Sequence, residues 1–229
     1  MERLKQKINN RTVAILSHGK SVESLEDSIY QFKDKDICYV SFNYWQLFDE
    51  FILSKINKKL DIVLDCANAE TLEYEESIRI PFMKRLFERG TTVLSVQKVL
   101  DDWSVLKQKQ YQDKIVLLDK YFNISTVANT LVLLIYAIAR SNPKEILLFG
   151  VDGYTKEDDG LSSYYKPDFQ LFRRLAIRLN NKVSLKRETN AFNETFYSNY
   201  KELFSEDYII PTYNYSKNSL ITIFPKKYL

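Results

Sequence analysis

Apolar residues along this chain fall into short dense runs, and polar turns separate these from longer stretches in which apolar positions recur every three or four residues. The first run, "TVAIL" (12–16), ends at the turn "SHGKS" and is followed by Val22, Leu25, Ile29 and Phe32, a helical spacing. The pattern then repeats. "DICYVSFN" (36–43) predicts a strand, and "YWQLFDEFILSKI" (44–56) a helix with a dense apolar face. "DIVLDC" (61–66), "TTVLSV" (91–96) and "KIVLLD" (114–119) predict three more short strands. A helix over 125–140 leads through "SNPKE" into "ILLFGVD" (146–152), whose unbroken apolarity suits a central parallel strand covered on both faces. Strands alternating with helices predict an α/β fold built on a doubly wound, mostly parallel sheet.

No repeat or low-complexity linker divides the chain, so one domain over 1–229 is expected. The character changes after residue 152. "GYTKEDDGLSSYYKPD" (153–168) is polar and follows the C-terminal end of a strand, where open α/β sheets place ligands. It is a candidate lid loop. The basic stretch "FQLFRRLAIRL" (169–179) reads as an amphipathic helix with Arg173, Arg174 and Arg178 on its wet side.

Composition adds limits. Five glycines and five prolines are few for a sandwich of many turns, which favours the α/β reading. The 33 basic and 30 acidic residues are interspersed, so the charge of +3 gives no footprint for nucleic acid. Cys38 and Cys66 stand alone without a CxxC spacing, which argues against a zinc site or a disulfide framework and fits a reducing cytoplasm. "MERLKQKINN" has no apolar core of a secretory signal, and "TLVLLIYAIA" (130–139) is too short to span a bilayer. A cytoplasmic protein is expected, with peripheral contact at the inner face of the membrane left open. With 16 Tyr and 14 Phe, a single aromatic at a chosen position is weak evidence of function.

The turn after the first strand holds the only histidine in the sequence. In a strand-turn-helix unit such a turn offers backbone N–H groups and a helix N-terminus to an anion. Ser17, Gly19, Lys20 and Ser21 supply hydroxyls, close backbone approach and charge, while Ser21 equally suits a helix cap. Neither the dinucleotide glycine pattern nor the Walker sequence is present. Asp152, at the end of "FGVD", either binds ribose or fixes its loop through backbone N–H groups.

Taken together, these segments resemble a known family. "VAILSHGKSVESL" resembles the G-N-G-P-S-L opening of the bacterial family 42 sialyltransferases and related pterin diphosphokinase-like proteins. "YVSFNYWQLFDEF" resembles the second family strand, and "SNPKEILLFGVDGY" is similar to G-x-K-E-I-x-L-x-G-x-D-x-Y. "SSYYKPD" resembles the serine-tyrosine lid entry, and "TYNYSKNSLITIF" the C-P-N-S-L element. The matches keep the family's order along nearly the whole chain.

The resemblance implies a Rossmann-like domain with a lid, binding a CMP-activated sugar with no required metal cofactor and passing the sugar to a glycan acceptor of the bacterial surface. It places His18, Gly19 and Ser21 in the first phosphate or ribose loop, Asn43 against the nucleotide, and Ser125, Thr126, Asn129 and Thr130 at a helix entrance near the donor. Tyr154 and Tyr164 would hold the departing phosphate, where two hydroxyls can stabilise developing charge in place of a metal. Asn218 and Ser219 would touch the nucleotide.

Two departures stand out. No histidine follows His18, whereas the family carries a general-base histidine in its lid, and Lys20 stands where the family has proline. Either His18 or a lid carboxylate such as Asp158 or Asp159 takes the role, or the chemistry has changed. ATP-dependent diphosphate transfer, with Asp152 and the acidic lid around Mg²⁺, is the alternative enzyme class; a non-catalytic nucleotide-binding module is a third. A homo-oligomer is compatible with all three.

Overall fold

The short apolar runs become strands because helices cover the sheet on both faces. In the computed structural model, which describes residues 1–43, 46–66, 80–102, 109–124, 129–153, 182–204 and 210–228, seven strands form one parallel sheet. They are β1 (Thr12–Leu16), β2 (Ile37–Phe42), β3 (Ile62–Leu64), β4 (Thr92–Ser95), β5 (Ile115–Leu117), β6 (Glu145–Phe149) and β7 (Thr212–Asn214). Their order is β5-β4-β3-β2-β1-β6-β7. Every residue of β2 is buried, as expected of a strand with a helix layer on each side.

Side chains alternate between the two layers, as the pleat requires. Ala14, Leu16, Tyr39, Val63, Val93, Leu147 and Phe149 join one core with α2 (Glu23–Ser28), α3 (Gln46–Phe51) and α4 (Ile80–Glu88). Val13, Ile15, Cys38, Val40, Ile62, Leu94 and Leu148 join the other with α1 (Glu2–Ile8), α6 (Thr130–Ala139) and α7 (Lys182–Leu203). The fifth helix in chain order, α5 (Gln97–Asp102), precedes α6 and places Val99 in the first core. Fully burying one such aliphatic side chain contributes about 1.5–3 kcal/mol. Helix α6 is apolar almost all round, because it lies between the sheet and α7.

Parallel crossovers are right-handed, so a chain that reverses its direction of sheet growth must also change faces. From β1 to β5 the connecting helices pack on the first core; after β5 the chain crosses to the second, and β6 is laid against the free edge of β1. The switch point therefore lies between β1 and β6, with Leu16 beside Phe149 at its carboxyl end.

The parallel α/β sheet agrees with the pattern in the sequence, with differences at the margins. The helix expected over 22–32 is broken into a 3-10 turn (Lys20–Val22), α2 and a second 3-10 turn (Ile29–Phe32). Strand β6 stops at Phe149 rather than 152, because Gly150 takes φ +72 and turns the chain. The lid loop after Gly153 and the basic stretch 169–179 lie outside the described residues.

Candidate functional site

The carboxyl ends of β1 and β6 are bound to each other through their turns. Ser17 N donates to Phe149 O at 2.8 Å and Gly19 N to Gly150 O at 2.9 Å. Space decides the residue types here. A Cβ on Gly19 would lie 2.4 Å from Gly150 O, and one on Gly150 would lie 2.3 Å from Ser17 O.

Two residues further on, the carboxylate of Asp152 accepts from Ser21 N at 2.9 Å and from the Ser21 hydroxyl. Ser21 Oγ also lies 2.7 Å from Ser216 Oγ, which accepts from Val151 N at 3.0 Å. Asn214, at the end of β7, holds the same loop: its Nδ2 donates to Val151 O at 3.0 Å and its Oδ1 accepts from Ser216 N at 3.0 Å. Ser219 Oγ donates to Val151 O at 2.6 Å, and Leu220 N donates to Asp152 O at 2.6 Å. Thus the three loops after β1, β6 and β7 form one hydrogen-bonded unit at the switch point.

This changes the role expected of the "SHGKS" turn. The amides of Ser17, Gly19 and Ser21 are all engaged within the protein. The anion that the first turn draws to its N-terminus is the protein's own Asp152. Asp152 fixes the loop through the backbone N–H of Ser21, one of the two roles read for it.

His18 is 5% exposed and sits against the rings of Phe42 (centroids 4.9 Å apart, edge-on) and Phe48 (5.2 Å, tilted). It is thus packed between residues of β2 and α3. Lys20 is exposed beside it. Asn43 follows β2 in a left-handed conformation (φ 48), its amide donating to Leu64 O at 3.0 Å. Its Oδ1 is buried without a hydrogen-bond partner among the described residues.

Asn129 is the N-cap of α6, its Oδ1 accepting from Val132 N at 3.1 Å, while its own N donates to Asn199 Oδ1 of α7 at 2.8 Å. Thr130 is the first residue of that helix and is half-buried. Asn218 is exposed, next to buried Ser219. The structure therefore brings Ser17, His18, Gly19, Lys20, Ser21, Asp152 and Ser219 into one unit, with Asn43 at the end of the next strand. Tyr154, Tyr164, Ser125 and Thr126 lie outside the described residues.

Two residues escaped the sequence reading. Ser216 ties Ser21 to Val151, and only its place two residues after Asn214 in a polar "NYS" hinted at a turn. Asp65 directly follows β3, is fully buried, and donates its amide to Leu94 O at 2.9 Å. Its signal was an acid closing an apolar run. Next to it, burial pushes the Cys66 thiol up to about 12, with the charge of Asp119 adding to the shift. The described residues contain no group of three or more His, Cys, Asp or Glu placed to hold a metal, and no helix long and apolar enough to cross a membrane.

Protein-family models, curated proteins and solved structures yield no match to this chain.

Proposed function

We propose that the protein is a glycosyltransferase-like enzyme that binds a nucleotide-activated sugar, of the CMP-sugar class, in the crevice at the β1–β6 switch point. The observation that carries this reading is the meeting of "SHGKS" and "GVDG", 131 residues apart at Ser21 and Asp152, across the point where open α/β sheets take ligands. These are the two segments with which the sialyltransferase resemblance begins and continues. In this reading the Asp152–Ser21 bond sets the floor of the crevice and Lys20 supplies positive charge at its rim. His18, packed between Phe42 and Phe48, orients the turn. The acceptor's proton then falls to a lid carboxylate, Asp158 or Asp159, and Tyr154 and Tyr164 stabilise charge on the departing phosphate.

The alternative is ATP-dependent diphosphate transfer with Asp152 and the acidic lid around Mg²⁺; each Asp152 oxygen accepts one hydrogen bond from Ser21 and keeps a lone pair for a cation. The test is thermal stability with CMP, CDP, UDP, GDP and ATP, each with and without Mg²⁺, because a ligand that binds only the folded chain raises its melting temperature. CMP is expected to stabilise without metal. Stabilisation by ATP with Mg²⁺ alone overturns the proposal.

A further inference from the structure

Among the described residues five large hydrophobic side chains are exposed, and three of them lie in the segment that follows β7: Leu220 (44% exposed), Ile223 (36%) and Tyr228 (67%). Leu220 and Ile223 are the two aliphatic ones. The segment is firmly held. Ser219, Ile221 and Phe224 are buried, with the Phe224 ring edge-on to Phe196 and Tyr200 of α7. The Tyr197 hydroxyl donates to Leu220 O at 3.2 Å and accepts from Thr222 N at 3.0 Å, while Lys226 Nζ closes the loop on Lys217 O and Ser219 O, each at 3.1 Å. Leu220 and Ile223 are thus exposed on an anchored loop.

The charge of the same segment has one sign. Residues 208–229 contain three lysines and no aspartate or glutamate, in a chain with 30 acids. Lys227 lies 3.9 Å from Glu145, whereas Lys217 is exposed and Lys226 bonds neutral carbonyls, which leave its charge in place. Position adds to this. Lys226 pairs in parallel with Asn214 at the end of β7, so the chain there runs on toward the carboxyl edge of the sheet, and the Leu220 amide donates to Asp152 O at 2.6 Å. Exposed aliphatic side chains and lysines therefore border the crevice.

We infer that this surface docks the protein on an anionic lipid bilayer, with Leu220 and Ile223 entering the headgroup boundary and Lys217 and Lys226 lying against the lipid phosphates. Apolar side chains rimmed by cations suit that partner, because burial of the first and attraction of the second act together. A second copy of the chain suits it poorly, since a two-fold contact sets the same patch against itself, lysine against lysine. Docking there brings the crevice to the membrane surface, whatever ligand the crevice takes.

Co-sedimentation of the full chain with vesicles of mixed phosphatidylglycerol and phosphatidylcholine, and with vesicles of phosphatidylcholine alone, tests the inference. The chain is expected to bind the anionic vesicles and to leave them as salt is raised, because screening weakens the pull on the lysines. Ile223→Ser removes an exposed apolar side chain, and Lys217→Glu reverses an exposed charge. Each is expected to weaken binding to anionic vesicles about fivefold or more, while the shift in melting temperature produced by CMP stays as in wild type. No binding to anionic vesicles, equal binding to both kinds of vesicle, or equal binding by wild type and both variants overturns the inference. A dimer that Ile223→Ser dissociates, found without vesicle binding, also overturns it and assigns the surface to a second copy.

Discussion

The amide of Gly19 donates to the carbonyl of Gly150 at 2.9 Å, which joins the turn leaving β1 to the turn leaving β6 across the switch point. No side chain fits between them. The approach is as close as backbone allows, and it holds the neighbouring Ser21 where Asp152 can reach it.

Two costs should therefore separate in glycine variants. Gly90 has φ +80 with open space around its Cβ position, so Gly90→Ala should cost only the left-handed strain, about 1–2 kcal/mol. Gly150→Ala combines φ +72 with a Cβ 2.3 Å from Ser17 O, and should cost about 3 kcal/mol. Urea unfolding of the two variants measures the difference. Equal losses would mean that the two turns separate without resistance.

The Asp152–Ser21–Ser216 cluster gives a local prediction. Ser216→Ala leaves the buried Val151 N–H without its acceptor, and should cost about 1–3 kcal/mol. Asp152→Ala removes the acceptor of the Ser21 amide, which should then exchange with deuterium markedly faster than in wild type. An unchanged exchange rate at Ser21 would refute the clamp.

The lid tyrosines carry the sharpest prediction of the proposed chemistry. Tyr154→Phe and Tyr164→Phe keep each ring and delete its hydroxyl. If these groups hold charge that grows on the leaving phosphate, kcat should fall on the order of a hundredfold with little change in donor affinity. Full turnover in both variants would leave Lys20, among the described residues, as a remaining candidate for holding that phosphate.

Alkaline pH should weaken the fold through Cys38. Burial, and next the charge of Asp61, push this thiol up from its ordinary value of 9.0. Below pH 9 the folded and unfolded chains both keep the proton. Above it the unfolded chain loses the proton while the folded chain retains it, so stability falls as pH rises, by about 1 kcal/mol per pH unit from this group. Urea midpoints at pH 8, 9 and 10 should fall more steeply for wild type than for Cys38→Ala.

What the sequence determined by itself was the alternation of strands with helices. Continuous apolar runs such as "ICYVSF" must be covered on both faces, and the spacing of Leu25, Ile29 and Phe32 supplies one of the covering layers. Both are local periodicities, legible without a partner. Strand β7 was not legible, because Thr212–Asn214 has no apolar run and becomes a strand only by pairing with β6. The candidate site divides in the same way. Gly19 in a turn after a strand could be read directly, whereas the use of Asp152 could not, since an aspartate looks the same whether its partner is a ribose, a metal or an amide. Tertiary structure supplied the amide by bringing Ser21, 131 residues away, within 2.9 Å. It likewise left Leu220 and Ile223 exposed beside the crevice, because Ser219, Ile221 and Phe224 take the buried places in their loop.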